Sequence, residues 1–167
     1  MKLYVMRHGP AEDHAESGVD GDRPLSAAGR ERVRAVARML TEVNEQPVLV
    51  VTSPLVRAVQ TAEIVALMTK VGEREGTVEV RRQIAPGGDA AALAHRLVAE
   101  GKKRVMFVGH EPDLSGLVSA LLGSFGRAFD KAMVVGLHLS TDSGRGRLRF
   151  VLDPKALALD PDDRGGA

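Results

Sequence analysis

Residues 48–57 read VLVVTSPLVR, a stretch in which a strand gives way to a helix. The first four residues are apolar and mostly β-branched, which predicts a strand covered on both faces. Ser53 and Pro54 follow, and they predict a helix with serine as the N-cap and proline at the first helical position. A buried strand that leads into a helix is the repeating unit of a parallel sheet.

The same alternation continues along the rest of the chain. Ser26 is predicted to cap a helix in which apolar residues recur at three- and four-residue spacing. We expect strands at residues 3–6, 48–51, 77–82 and 104–108, helices over about 27–44, 54–70, 90–100 and 112–122, and a final hairpin from 133–140 and 147–152. This order predicts an α/β fold, a three-layer αβα sandwich with a mostly parallel sheet.

Length, charge and cysteine content limit the possible functions. The chain has 167 residues, a net charge of +1 and no cysteine. We expect one domain over residues 1–153 and a C-terminal tail over 154–167. The balanced charge argues against nucleic acid or an anionic membrane as a partner. The lack of cysteine excludes disulfide scaffolds, cysteine-ligated zinc and a cysteine nucleophile, and it is compatible with a cytoplasmic protein. We expect a monomer.

Polar residues follow three of the predicted strands. Arg7 and His8 end the first strand, Arg57 lies one turn into the helix after the second, and His110 ends the fourth. In open α/β sheets the ligand site lies outside the carboxyl ends of the strands. A single histidine at a strand end is usually structural, but here we expect all four side chains to converge at one edge of the sheet.

These four residues suit the chemistry of phosphate. Two guanidinium groups offer paired donors to a phosphoryl group and offset its charge. Their positive charge also lowers the pKa of a neighbouring histidine, so the His8 ring stays neutral and is available as a nucleophile. His110 is then placed to donate a hydrogen bond to a phosphoryl oxygen.

A metal centre is the chemical alternative, because His8 and His110 are both residues that ligate zinc or iron. The arginines beside them would repel a cation, and no third ligand follows a matching strand. No P-loop sequence is present either. We therefore predict no metal and no cofactor.

Three motifs at these positions resemble those of the histidine phosphatase (phosphoglycerate mutase-like) superfamily. They are MRHG at 6–9, SPLVRAVQTA at 53–62 and VGHEP at 108–112, and RPLSAAG at 23–29 resembles the segment before the first helix. The resemblance covers residues 1–152, and the short chain is most similar to the small SixA-type members. It implies a phosphoglycerate mutase-like fold and a transiently phosphorylated His8. Arg7, Arg57 and His110 would complete the phosphate pocket, and Lys131 would be an accessory or structural residue.

The sequence departs from the larger members of that superfamily after the third predicted strand. Those members carry a catalytic glutamate in an insertion, whereas residues 83–89 here read QIAPGGD. Asp89 is better explained as a helix N-cap. Glu12, Asp13 and Glu111 are other carboxylates that could serve as the acid. An alkoxide leaves poorly without a proton, since its conjugate acid has a pKa of about 15, whereas imidazolium titrates near 6.5.

The first hypothesis is therefore a metal-independent phosphohistidine phosphatase. Its partner would be a phosphohistidine-bearing signalling or phosphocarrier protein, and its product inorganic phosphate. A general small-molecule phosphomonoesterase of the same superfamily is the alternative, and a phosphate-binding module without turnover is the third possibility. The long loop at 9–25 either gates the site or wraps it.

Overall fold

A single seven-stranded sheet forms the middle of the molecule in the computed structural model, which describes residues 1–141 and 143–160. Along this part of the chain the strands are Lys2–Arg7 (β1), Leu49–Thr52 (β2), Thr77–Val80 (β3), Arg104–Gly109 (β4), Val134–Leu139 (β5), Gly146–Asp153 (β6) and Ala158–Asp160 (β7). Their spatial order is β3-β2-β4-β1-β5-β6-β7. Strands β1 to β4 are parallel to one another, and β5, β6 and β7 continue the sheet in antiparallel pairing.

Four α-helices cover the two faces of this sheet within the described residues. They are Ala27–Glu42 (α1), Val56–Met68 (α2), Ala90–Ala99 (α3) and Asp113–Leu122 (α4). Alternate residues of β1 face opposite cores: Leu3 and Val5 pack with α3 and α4, whereas Tyr4 and Met6 pack with α1 and α2. The predicted three-layer α/β sandwich is confirmed, with its parallel strands in the centre and an antiparallel edge. None of these helices combines the length and the apolar character needed to cross a bilayer.

Two of the predicted helix caps are present. The Ser26 hydroxyl accepts a hydrogen bond from the Gly29 amide at 3.0 Å, and the Asp89 carboxylate accepts one from the Ala92 amide at 2.9 Å. Each cap satisfies one of the amides that a helix N-terminus leaves without an intrahelical partner. Asp89 is therefore used by the backbone of α3.

The predicted start of α2 at Ser53 and Pro54 is wrong. The helix begins at Val56, and its N-cap, Leu55, makes no side-chain capping bond. The Ser53 hydroxyl lies 2.8 Å from His110 Nε2 and accepts a hydrogen bond from the Leu55 amide at 3.3 Å. The Ser53 side chain thus contacts His110, far away in the sequence, although local sequence rules predict that it caps the helix.

The sheet extends beyond residue 153, the boundary expected from the sequence. Residues 158–160 pair with β6 as an antiparallel edge strand. This last strand has only three residues, which is too short for an alternating apolar pattern that would predict it from the sequence. The remainder of the predicted tail, 161–167, lies outside the described residues.

The loop at 9–25 is held against α1 at close range. The Pro10 carbonyl accepts a hydrogen bond from the Ser26 amide at 3.1 Å. A Cβ atom on Gly29 would lie 1.9 Å from that same carbonyl oxygen, so only glycine permits this approach. The first turn of α1 therefore fixes the chain immediately after His8.

Candidate active site

The structure brings the four predicted residues together at the carboxyl end of the parallel strands. Arg7 is the last residue of β1, Arg57 the second residue of α2, and His110 directly follows β4. The ring centroids of His8 and His110 are 5.1 Å apart, and Arg57 Nε lies 3.3 Å from His8 Nε2. A cleft of about 270 Å³ at this edge is lined by Arg7, His8, Arg23, Arg57, Pro86, His110, Glu111 and Lys131.

The hydrogen bonds of His8 determine which ring nitrogen keeps its lone pair. Nδ1 lies 2.7 Å from the Gly9 carbonyl oxygen, which only accepts, so Nδ1 carries the hydrogen. Nε2 is then an acceptor, and it receives the N–H of Arg57 Nε. Gly9 is itself fixed to α2, because its amide donates to the Thr61 hydroxyl at 3.1 Å. The ring lone pair of His8 consequently lies on Nε2, where it accepts this hydrogen bond from the guanidinium of Arg57.

The rings of both site histidines are neutral at neutral pH. Burial lowers the pKa of His8 to about 3, and His110, Arg57 and Arg7 add to that effect by electrostatic repulsion of the protonated ring. Burial, followed by the charge of Arg57, lowers the pKa of His110 to about 4. A neutral imidazole with a lone pair is the nucleophilic form, whereas imidazolium is not.

His110 is oriented by Ser53, whose role the sequence analysis missed. The hydroxyl contacts Nε2 of the ring at 2.8 Å, while Nδ1 is buried and has no hydrogen-bond partner within the described residues. A buried polar atom without a partner is uncommon and costly unless a ligand satisfies it. His110, which lines the cleft, thus has one ring nitrogen whose hydrogen-bonding capacity is unused by the described residues.

Arg7 has a similar arrangement on the other side of the cleft. Its Nη1 donates to the Phe129 carbonyl at 2.6 Å, which fixes the plane of the guanidinium. Its Nε is buried and has no partner among the described residues. One edge of the guanidinium is thus used by the protein, and a donor remains for an anion.

Asp20 is the second site residue that the sequence analysis missed. It lies in the 9–25 loop, where its carbonyl accepts from Arg57 Nη1 at 2.9 Å and its carboxylate from Arg57 Nη2 at 3.2 Å and Arg23 Nε at 2.8 Å. Although partial desolvation acts to raise the pKa of Asp20, Arg57 and Arg23 together lower it. In the sequence nothing distinguishes Asp20 from the other acidic residues of the same loop, such as Glu12 and Asp13.

The carboxylates considered from the sequence as proton donors occupy different positions. Glu12 and Asp13 are exposed, and neither lines the cleft. Glu111 does line it, and Lys131 lies at the same opening with an exposed side chain. The lining therefore contains four cationic side chains, two imidazoles and one carboxylate, a composition that favours an anion. The described residues form no group of three or more potential ligands that could hold a metal ion.

Comparisons with known proteins match this geometry. Residues 3–87 match the model of the histidine phosphatase superfamily, branch 1. Phosphohistidine phosphatase SixA of Escherichia coli is 30% identical over 163 residues, which are 95% of this chain and 98% of that protein. The chain belongs to the histidine phosphatase superfamily.

A solved structure and one further relative extend the comparison. The structure of the protein histidine phosphatase SixA in complex with tungstate superposes with a TM-score of 0.86 and 29% identity, over 95% of this chain and all of that one. An uncharacterized protein of Picosynechococcus sp. is 35% identical over 165 residues, 95% of each chain. This histidine phosphatase therefore shares the SixA fold over 95% of its chain, and its cleft lies at the carboxyl ends of the parallel strands.

Proposed function

We propose that this histidine phosphatase removes phosphate from a phosphohistidine carried by another protein, through a transient phosphohistidine on its own His8. The observation that carries the proposal is the neutral Nε2 of His8, which keeps its lone pair and lies beside Arg57 in a cationic cleft. The related SixA structure is a complex with tungstate, an oxyanion, which supports an anion as the ligand of this fold.

In the first step, the lone pair of His8 Nε2 attacks the phosphorus atom of the substrate. The P–N bond of the substrate breaks, and its electron pair goes to the departing imidazole. Arg7 and Arg57 bind the phosphoryl oxygens and offset the charge that would repel the nucleophile. An anion needs a hydrogen-bond donor, so His110 carries its hydrogen on Nδ1 and donates from there to a phosphoryl oxygen. In this tautomer Nε2 accepts a hydrogen bond from the Ser53 hydroxyl.

In the second step, a water molecule attacks the phosphorus of phosphorylated His8. The new P–N bond breaks, inorganic phosphate forms, and His8 regains its lone pair. The pKa of the His8 ring, about 3, keeps it unprotonated when phosphate leaves, so it is ready for another cycle without losing a proton. Both steps use side chains of this protein alone, and we propose that no metal takes part.

The leaving group explains the preference for phosphohistidine. A phosphorylated imidazole that is protonated on its second nitrogen leaves as neutral imidazole, whereas an alkyl phosphate must leave as an alkoxide unless an acid protonates it. Among the described residues, the only carboxylate that lines the cleft is Glu111, and both of its oxygens already accept hydrogen bonds. A substrate that needs no dedicated acid fits this arrangement best.

A substrate panel tests the proposal. Phosphate release is measured from a phosphohistidine-bearing phosphotransfer domain or phosphocarrier, from phosphoserine and phosphotyrosine peptides, and from sugar phosphates. We expect the highest kcat/KM on phosphohistidine, and we expect His8→Ala to lose at least about a thousandfold on every substrate.

Other results would point elsewhere. A clear preference for sugar phosphates would indicate a small-molecule phosphomonoesterase, and activity that survives His8→Ala would remove His8 as the nucleophile. An absence of phosphate release even from an activated aryl phosphate would indicate a binding module. His138→Ala is the matched control, because His138 is an exposed histidine of β5 that does not line the cleft.

A further inference from the structure

Glu111, the residue after His110, connects two parts of the chain with its carboxylate. Its Oε1 accepts a hydrogen bond from the Phe129 amide at 3.1 Å, and its Oε2 accepts one from the Ser115 hydroxyl at 2.5 Å. Ser115 belongs to α4, and Phe129 lies in the segment between α4 and β5. The carboxylate is therefore a bridge between the start of α4 and the segment that follows the helix.

The main chain of Phe129 also contacts Arg7. Its carbonyl accepts from Arg7 Nη1 at 2.6 Å, while its amide donates to Glu111. The Phe129 ring is 1% exposed and packs against Phe125 with the ring centroids 5.7 Å apart. The side chain anchors this residue in the core, and Glu111 restrains its main chain at the N–H.

We propose that Glu111 is a positioning residue that orients the Arg7 guanidinium through the main chain of Phe129. The N–H and the C=O of Phe129 belong to successive peptide units that meet at its Cα. Because the ring is anchored in the core, the bond from the N–H to Glu111 restrains the remaining rotation of the residue, and with it the direction of the carbonyl that Arg7 contacts. This inference rests on the proposed role of Arg7 in binding the phosphoryl group. In this proposal the Glu111 carboxylate orients Arg7 and does not transfer a proton.

The contacts of Glu111 are those of an acceptor. A proton on Oε1 would face the Phe129 N–H, so two hydrogens would compete for one contact. A proton on Glu111 is therefore confined to Oε2, where it would face the Ser115 hydroxyl and not the Phe129 N–H. A glutamine keeps the essential contact, since its amide oxygen accepts from Phe129 and its NH₂ group can donate to the Ser115 hydroxyl.

Two substitutions separate the positioning role from an acid role. Glu111→Ala removes the bridge, and Glu111→Gln keeps it but cannot donate a carboxyl proton. The readouts are the inhibition constant of inorganic phosphate and the kcat/KM for an activated aryl phosphate. We expect Glu111→Ala to weaken phosphate binding and to lower kcat/KM by about 10- to 100-fold, while Glu111→Gln stays within about threefold of the unmodified protein.

Glu12→Ala is the matched control for the loss of one negative charge, because Glu12 is exposed and does not line the cleft. It should leave both readouts unchanged. If Glu111→Ala does not remain folded by circular dichroism, Glu111→Asp replaces it, since the shorter carboxylate keeps the charge but cannot span Phe129 and Ser115. We expect Glu111→Asp to lose phosphate affinity as well.

A double-mutant cycle with Arg7 gives the decisive result. If Glu111 acts through Arg7, replacing Glu111 in an Arg7→Ala protein should cost less than about twofold, because the guanidinium that it orients is absent. Full additivity of the two losses would overturn the proposal, as would a Glu111→Gln protein as impaired as Glu111→Ala. Unchanged phosphate affinity in Glu111→Ala would overturn it too.

These readouts do not depend on the identity of the natural substrate. If the phosphohistidine preference is wrong, the phosphate and aryl phosphate measurements still test Glu111. If Arg7 does not bind the phosphoryl group, Arg7→Ala alone leaves phosphate affinity unchanged, and the mechanism proposed above fails at that point and not at Glu111.

Discussion

One main-chain oxygen decides the chemistry available to His8. The Gly9 carbonyl takes the hydrogen of Nδ1, and Arg57 faces the lone pair of Nε2. The burial of the ring, with a smaller contribution from the charge of the adjacent guanidinium, then lowers its pKa and favours the neutral form. A histidine at the end of a strand becomes a candidate nucleophile through these contacts, not through its residue type alone.

At Arg57, the carboxylate of Asp20 lies where a phosphoryl oxygen would compete for the same guanidinium nitrogen. We predict that Asp20→Asn lowers the inhibition constant of inorganic phosphate by about threefold at low salt, because a negative charge is removed from the anion site. The gain should decrease at high ionic strength.

The matched control for Asp20 is Asp22→Asn, since the Asp22 carboxylate contacts Ser17 and makes no contact with Arg57. Inhibition by phosphate is measured for both variants with the same aryl substrate. Weaker phosphate binding in Asp20→Asn would show that this carboxylate orients Arg57 more than it competes with the ligand.

Ser53 provides a second prediction at this scale. Ser53→Ala removes the hydroxyl that lies 2.8 Å from His110 Nε2, so neither the orientation nor the tautomer of the ring is fixed. We expect kcat/KM to fall about tenfold, the effect of one hydrogen bond worth roughly 1.4 kcal/mol. Steady-state kinetics on an aryl phosphate measures the effect, with Ser124→Ala as an exposed control. Unaltered kinetics would contradict the role of Ser53.

At the level of elements, the sequence predicts the positions of the first six strands and of the four helices, because buried strands and amphipathic helices have distinct apolar patterns. It misses β7 and the start of α2. It also predicts that Arg7, His8, Arg57 and His110 share one edge, since parallel strands align their carboxyl ends. It does not predict the contacts of Ser53 or Asp20. Their partners lie 57 and 37 positions away along the chain, and local patterns contain no information on such pairs.

The packing of α1 against the 9–25 loop gives a prediction on stability. Gly29→Ala would place a methyl group 1.9 Å from the Pro10 carbonyl oxygen, so the backbone of the loop must move. We expect the free energy of unfolding to decrease by about 2–3 kcal/mol, as measured by urea denaturation, and activity to decrease because Pro10 follows the site closely in the chain.

Gly116→Ala is the matched control for this substitution. Gly116 lies within α4, and beyond its chain neighbours and the nearby backbone of its own helix no described atom is within 4 Å of the position that its Cβ would occupy. Alanine there should increase the free energy of unfolding by about 0.5–1 kcal/mol, since it restricts the unfolded chain. Equal effects of the two substitutions would contradict the close approach at Gly29.

For the whole molecule, the two site histidines link stability to pH. The pKa of His8 falls from 6.5 to about 3 in the folded protein, and that of His110 falls from 6.5 to about 4. Below about pH 6.5 the unfolded chain therefore binds protons that the folded chain does not. Their contribution is fully present above pH 6.5, and the free energy of unfolding should decrease as the pH falls from there toward 4.

Urea denaturation at several pH values between 7 and 4.5 measures this dependence. The double variant His8→Asn/His110→Asn should lose stability less steeply over that range, because the two groups that remain unprotonated in the folded state are gone. The lower limit of pH 4.5 excludes the range in which Glu45 would contribute to the loss of stability, since hydrogen bonds from Arg149, Tyr4 and Lys2 lower the pKa of its carboxyl from 4.5 to about 2. An identical slope in the variant and the unmodified protein would contradict the buried neutral state of the two rings.

The most direct test of the central claim is to trap the phosphorylated enzyme. The protein is mixed rapidly with a phosphohistidine-bearing phosphotransfer protein and quenched in alkali, and the modified residue and ring nitrogen are identified by mass spectrometry and phosphorus NMR. We predict phosphate on Nε2 of His8, the nitrogen whose lone pair the Gly9 carbonyl leaves free. Phosphate on Nδ1, or on any residue other than His8, would contradict the account.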